Sequence, residues 1–313
     1  MASPLNNAAS IAYYPDAGVT EQAAVARAFG HPVGAIGAVH PQLLAEIPAH
    51  EWKRDRQFLN ACKNGDNDTV QRLLIEEPNL CHRALQAVRP LAVAIQRGHV
   101  STVDLLLDHG ASPNSRLSYQ PPLTEAISYR QQAVARRLIE RGADLELKTE
   151  GGYTALHEAV RANSSSLVTL LLAAGADVHA NSSCQKDTPL TQAVECQYRD
   201  MVELLLVTGH ADPDQRKGNT GKTPLSIACE QGCLAIVELL LARGATADRG
   251  EHEGPTPLAL AAQNGFLQIT ETLLQYGADP KETDSEGKTV RQRAEPREHH
   301  DVVALLRAAE GGQ

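Results

Sequence analysis

The sequence predicts an all-α repeat array: about eight helix-turn-helix units stacked side by side, with a loop projecting after each unit. Three observations lead there. The first is a register headed by Phe58, Leu91, Leu123, Leu156, Leu190, Leu225, Leu258 and Val290, at intervals of 33, 32, 33, 34, 35, 33 and 32 residues. The second is a pair of apolar stripes in each unit, each with the i, i+3, i+4 spacing of one helix face. The third is what separates the units: 12 to 15 mostly polar, turn-forming residues, too few for another buried element.

Each first helix is read from its register residue. Three residues on stands alanine in the first seven units (61, 94, 126, 159, 193, 228 and 261). One further on stands Cys62, Ile95, Ile127, Val160, Val194, Cys229 or Ala262. A face that is small at its centre lets neighbouring helices approach closely. The second helices carry Val103, Leu106 and Leu107, then Val168, Leu171 and Leu172, Val202, Leu205 and Leu206, and Val237, Leu240 and Leu241. These stripes run into Gly110, Gly175, Gly209 and Gly244, each suited to the left-handed position that ends a helix.

Composition agrees and excludes whole classes. The chain has 313 residues, 42% apolar and only 4% aromatic, which favours helix over an aromatic-rich sandwich. A net charge of −9 with no Lys/Arg run disfavours direct nucleic-acid binding. No apolar run approaches a membrane span, and the first 30 residues lack a basic start followed by an apolar core. Six scattered cysteines in a chain able to build its own core point to a reducing, intracellular setting, cytoplasmic or nuclear. Residues 1–49 read as a partly disordered non-repeat segment and 50–313 as the repeat domain with degenerate terminal caps. Leu43, Leu44, Ile47 and Trp52 are expected to fold back on the first unit.

Thr188-Pro189-Leu190, Thr223-Pro224-Leu225, Thr256-Pro257-Leu258 and Thr154-Ala155-Leu156-His157-Glu158-Ala159 resemble the ankyrin signature T-P-L-H-x-A. Gly-Ala-Asp at 142–144, 175–177 and 277–279 adds to the likeness, which covers roughly residues 50 to 310. The resemblance implies an ankyrin solenoid and a non-enzymatic protein-interaction role as adaptor, scaffold, inhibitor or transcriptional co-regulator. It also gives His157 a structural role, hydrogen-bonding between adjacent loops; Thr124, Thr191 and Ser226, at the same position, carry hydroxyls suited to similar work. Departures stand at Arg89 and Pro121 in place of the Thr, at Ala135 and Thr270 in place of the second-helix valine, and at Arg293 in place of the buried alanine.

The surface not needed for stacking is where a partner protein would be held. On the first helices it includes Arg97, Tyr129, Arg161, Glu195 and Glu230; on the loops before the Thr-Pro turns it includes Tyr153, Asp187 and Lys222. These positions vary while the buried ones repeat, as one particular partner would require. The aromatic and Arg members are the expected anchors. No cofactor or metal is expected. Cys229 and Cys233 share a helix face but lack further ligands, and Gly221-Lys222-Thr223 has Arg216 where a phosphate loop needs its first glycine. The alternative reading is a small-molecule binder or unusual enzyme, with the groove roofed by residues 19–54 near Tyr129, Tyr153 and Glu195.

Overall fold

Proline at the first helical position and threonine before it start the helices of this molecule. Thr188 and Thr223 accept the amides of Thr191 and Ser226, whose hydroxyls return the bond, closing reciprocal capping boxes; Thr256 caps Ala259. The structure is a computed structural model that describes residues 49–82, 89–115, 120–183, 185–218, 220–248, 254–283 and 287–311, with side chains from Lys53 onward. The expectations for residues 1–48, including the roof and the folding back of Leu43, Leu44 and Ile47, lie outside it, as does the side chain of Trp52.

Among the described residues there are sixteen α-helices in eight pairs. The first helices are α1 (Ala49–Asn64), α3 (Pro90–Arg97), α5 (Pro122–Ser128), α7 (Ala155–Arg161), α9 (Pro189–Glu195), α11 (Pro224–Gln231), α13 (Pro257–Gln263) and α15 (Val290–Ala294). The second helices are α2 (Asn67–Glu76), α4 (Val100–Asp108), α6 (Gln132–Glu140), α8 (Ser165–Ala173), α10 (Arg199–Val207), α12 (Leu234–Ala242), α14 (Leu267–Gln275) and α16 (His300–Gly311). First helices pack on first helices from α1 to α15, and second on second from α2 to α16. The first row is the tighter, because its alanines admit close approach, so the file bends with that row on its concave side.

The register residues and both stripe positions of every first helix from Phe58 to Ala262 are buried. Thr270 is also fully buried, and its hydroxyl donates to the Phe266 carbonyl one turn back, satisfying a polar group where other units place valine. Between units, Thr102 donates to Asn67 and the Cys81 thiol to the His109 carbonyl. Asp104 accepts from both Arg137 (2.5 Å) and Arg141 (3.3 Å), clamping α4 to α6.

Two features differ from the sequence expectation. Gly110, Gly175 and Gly244 are left-handed as expected, but Gly209 is not; His210 takes that conformation instead, at φ 52°. One residue more separates Leu205 from Ala211, whose amide closes the helix end, than separates Leu106 from Ala111 or Leu171 from Ala176, which moves the reversal on by one; a Cβ at Gly209 would meet the Leu205 carbonyl oxygen at 2.7 Å. The turn inside each pair also contains one left-handed residue: Gly65, Gly98, Arg130, Asn163, Gln197, Gly232, Gly265 and Glu298. Four of these are not glycine and carry the steric cost of that conformation. Gln197→Gly should therefore raise stability by about 1 kcal/mol in urea unfolding; an unchanged midpoint would mean the turn relaxes without strain.

Candidate partner-binding groove

The concave side is built from the ends of the first helices and from the loops that precede them. The loops project as fingers because their ends pair: the Ser182 amide donates to the Asp187 carbonyl and the Lys217 amide to the Lys222 carbonyl. Successive fingers also touch, through Ser183 N–H to the Gly152 carbonyl and Gly218 N–H to the Lys186 carbonyl.

His157 joins a helix to the next finger. It is fully buried, with Nδ1 2.8 Å from Thr154 Oγ1 and Nε2 3.0 Å from the Asp187 carbonyl oxygen. Burial holds its pKa below the usual histidine value, so the neutral ring bridges these groups at neutral pH. Thr124, Thr191 and Ser226 do not do the same work, contrary to the expectation from their position. Their hydroxyls donate to Pro121, Thr188 and Thr223 of their own caps, since a short side chain cannot span to the next finger.

The candidate residues divide into two groups. Arg97 and Tyr129 stand in solvent, Tyr129 at 44% exposure, and Arg161 is exposed while donating twice to the buried carboxylate of Glu158. Tyr153 is half-buried, its ring tilted against His157 with centroids 5.9 Å apart. Lys222 and Glu230 pair with each other at 2.6 Å, finger to helix end. Asp187 departs from the expectation of an exposed contact residue: it is 3% exposed, and its carboxylate lies 2.6 Å from the Lys217 ammonium. Lys217 also reaches Glu195 at 2.7 Å. Burial alone would lower the lysine pKa, but the hydrogen bonds to Asp187 and Glu195 outweigh it and hold it above its ordinary value.

Lys217 was not legible as a groove residue, and neither was the groove floor. The floor lies two residues after five of the register leucines, where Glu125, Glu158, Gln192, Ile227 and Leu260 are buried, while Val93 after Leu91 is only partly so. A position two residues on points about 200° around the helix from the stacking stripe, so neighbouring units, not the helix's own partner, cover it. The floor runs from carboxylates to apolar side chains along the file. Gln96 Nε2 donates to Glu125 Oε1 at 2.8 Å, yet burial still raises the Glu125 pKa. Glu125→Gln should stabilise the fold at neutral pH, with the gain vanishing below the ordinary carboxylate pKa, where the native residue is already protonated. Chemical denaturation across pH measures this.

The Cys196 thiol is pushed up by burial and by the neighbouring Glu195, which opposes the thiolate a nucleophile requires. Among the described residues no group of three His, Cys, Asp or Glu converges as metal ligands, and no helix is long and apolar enough to cross a membrane. Open cavities of about 400 and 450 Å³ lie on α1–α2 and between α6 and α8, and neither is lined by Tyr129, Tyr153 or Glu195.

Helix pairs in single file, joined by paired fingers and started by Thr-Pro caps, define a repeat protein of the ankyrin class. The chain belongs to the ankyrin-repeat family: the model for ankyrin repeats in three copies matches residues 58–149, 118–182 and 156–249, and the single-repeat model matches 253–285. Its relatives include the Caenorhabditis elegans ankyrin repeat and KH domain-containing protein mask-1, 32% identical over 51% of this chain and 7% of that protein. The mouse B-cell lymphoma 3 protein homolog is 32% identical over 50% and 36%, and human ankyrin repeat and SOCS box protein 16 is 33% identical over 51% and 44%. In each case the match spans less than half of the relative's own length. Among solved structures, the ankyrin repeat domain of Bcl-3, a member of the IkappaB protein family, superposes with a TM-score of 0.64 at 30% identity, covering 70% of this chain and 97% of that one. The human ASB11 ankyrin repeat domain gives 0.58 at 29%, covering 71% and 98%.

Proposed function

We propose that this protein is a non-catalytic adaptor that holds a partner protein against the concave face formed by its first helices and fingers. The observation that carries this is the contrast between repeating buried stripes and a facing surface that changes from unit to unit, from Arg97 and Tyr129 to Glu195 and Glu230. Arg97 and Tyr129 are the anchors, because they stand in solvent, whereas Glu195, Lys222 and Glu230 lend the groove its charge from within ion pairs. The likeness to Bcl-3 and to the chicken nuclear factor NF-kappa-B p105 subunit, 30% identical over 58% of this chain, supports a regulatory adaptor among the family's roles. The protein acts inside the cell, in cytoplasm or nucleus, in keeping with free thiols at Cys62, Cys81, Cys196, Cys229 and Cys233.

The double change Arg97→Glu with Tyr129→Ala tests this reading. Both side chains are exposed, so stability should move by no more than about 0.5 kcal/mol. Partner recovery in affinity capture from the native cell should fall at least tenfold. Undiminished recovery would move the contact surface elsewhere.

A further inference from the structure

Away from the groove, at the junction of the first two units, two departures from the repeat converge. Arg89 stands where other units carry the cap threonine, and Ser112 stands where Gly-Ala is followed by aspartate in the units at 142–144, 175–177 and 277–279. Both line one small cavity of about 130 Å³, together with Cys81, His82, Leu91, Ala111 and Ser115. The first substitution brings a cation, and the second replaces a carboxylate by a hydroxyl that, like those aspartates, accepts the amide two residues on.

The polar side chains of this cavity, Arg89, His82, Ser112 and Ser115, can all donate, and His82 and Ser112 stand exposed at its mouth. Arg89 Nε is shut off from solvent without an acceptor, and no carboxylate among the described residues pairs with this guanidinium. The Ser112 oxygen already accepts the Asn114 amide, which leaves its O–H free to donate inward. The Cys81 thiol turns away to the carbonyls of Pro78 and His109. No local acid remains to balance the charge: between Glu77 and Glu125 the only carboxylate side chains are Asp104 and Asp108, and both are engaged by Arg141 on the second-helix side. Burial costs Arg89 enough to pull its pKa below the ordinary value, though an arginine stays charged. Only Nε is enclosed and the rest of the side chain is partly exposed, so an anion joining it would satisfy one stranded donor.

We propose that this cavity is a binding site for one tetrahedral oxyanion, a phosphoryl group, held by the Arg89 guanidinium with the Ser112 and Ser115 hydroxyls and the His82 ring. Arg supplies planar donors suited to phosphate oxygens, and the hydroxyls supply the remaining ones. The group arrives either as free phosphate or on a phosphorylated side chain; the cavity's size excludes a larger anion such as a nucleotide from entering whole.

Isothermal titration calorimetry of the full chain, with inorganic phosphate in one arm and a short phosphoserine peptide in the other, tests the site. The intact chain should show saturable binding in at least one arm, and which arm responds identifies the source. Arg89→Thr, which restores the residue of the other units, should weaken binding at least about tenfold. Ser112→Asp adds a negative charge to the lining that repels a phosphoryl group; it should weaken binding at least about tenfold. Absence of saturable binding in both arms, equal binding by the intact chain and both variants, or acetate binding as tightly as phosphate would each overturn the assignment.

Discussion

Lys217→Met should destabilise the protein by about 3–5 kcal/mol in urea unfolding at neutral pH, because it strands a buried carboxylate. Asp187 is almost fully enclosed, and its backbone is fixed by His157 Nε2 on the carbonyl and by Ser182 Oγ on the amide. It therefore cannot swing out to water when the ammonium is lost. Glu195, the other partner of Lys217, is about one-third exposed and can rehydrate, so the loss is charged to Asp187. The double change Lys217→Met with Asp187→Asn should recover at least half of the stability, since it removes the charge that needed compensation. A loss under about 1 kcal/mol would mean that water reaches Asp187 and that the finger is less closely packed.

Leu171→Ala should cost about 2–5 kcal/mol, the sum of lost transfer energy and an unfilled cavity. Leu171 is fully buried at the centre of α8, with Val168 one turn before it and Leu138 and Leu205 at the matching places of α6 and α10. The solvent-facing α8 neighbours Ser165, Ser166 and Thr169 are too small to fill the gap. A stack is stabilised unit by unit through its interfaces, so the loss should also broaden the unfolding transition or split it into two steps around this unit. A change below about 0.5 kcal/mol would place α8 out of register.

What was legible in the sequence is what the stack repeats. Leu91, Ala94 and Ile95, and their equivalents through Leu258, Ala261 and Ala262, are buried because spacing alone puts them on one helix face. The turns were legible where glycine marks them and obscure at Arg130, Asn163, Gln197 and Glu298, where only register reveals a left-handed residue. The interval of 35 after Leu190 already signalled the extra residue that moves the reversal from Gly209 to His210. The groove was harder. Asp187 looked like a surface charge because its cation, Lys217, lies thirty positions on, in the next finger. Glu125, Glu158 and Gln192 look solvent-facing on a helical wheel, and only the neighbouring units bury them.

The central functional claim is that a partner protein seats on the first-helix face. Site-specific photo-crosslinking tests it most directly, with the reactive group placed at Tyr129 in the groove and, as a control, at Thr169 on the second-helix row. The account predicts a covalent adduct to a partner from position 129 and none from 169. An adduct from 169 with none from 129 would contradict it.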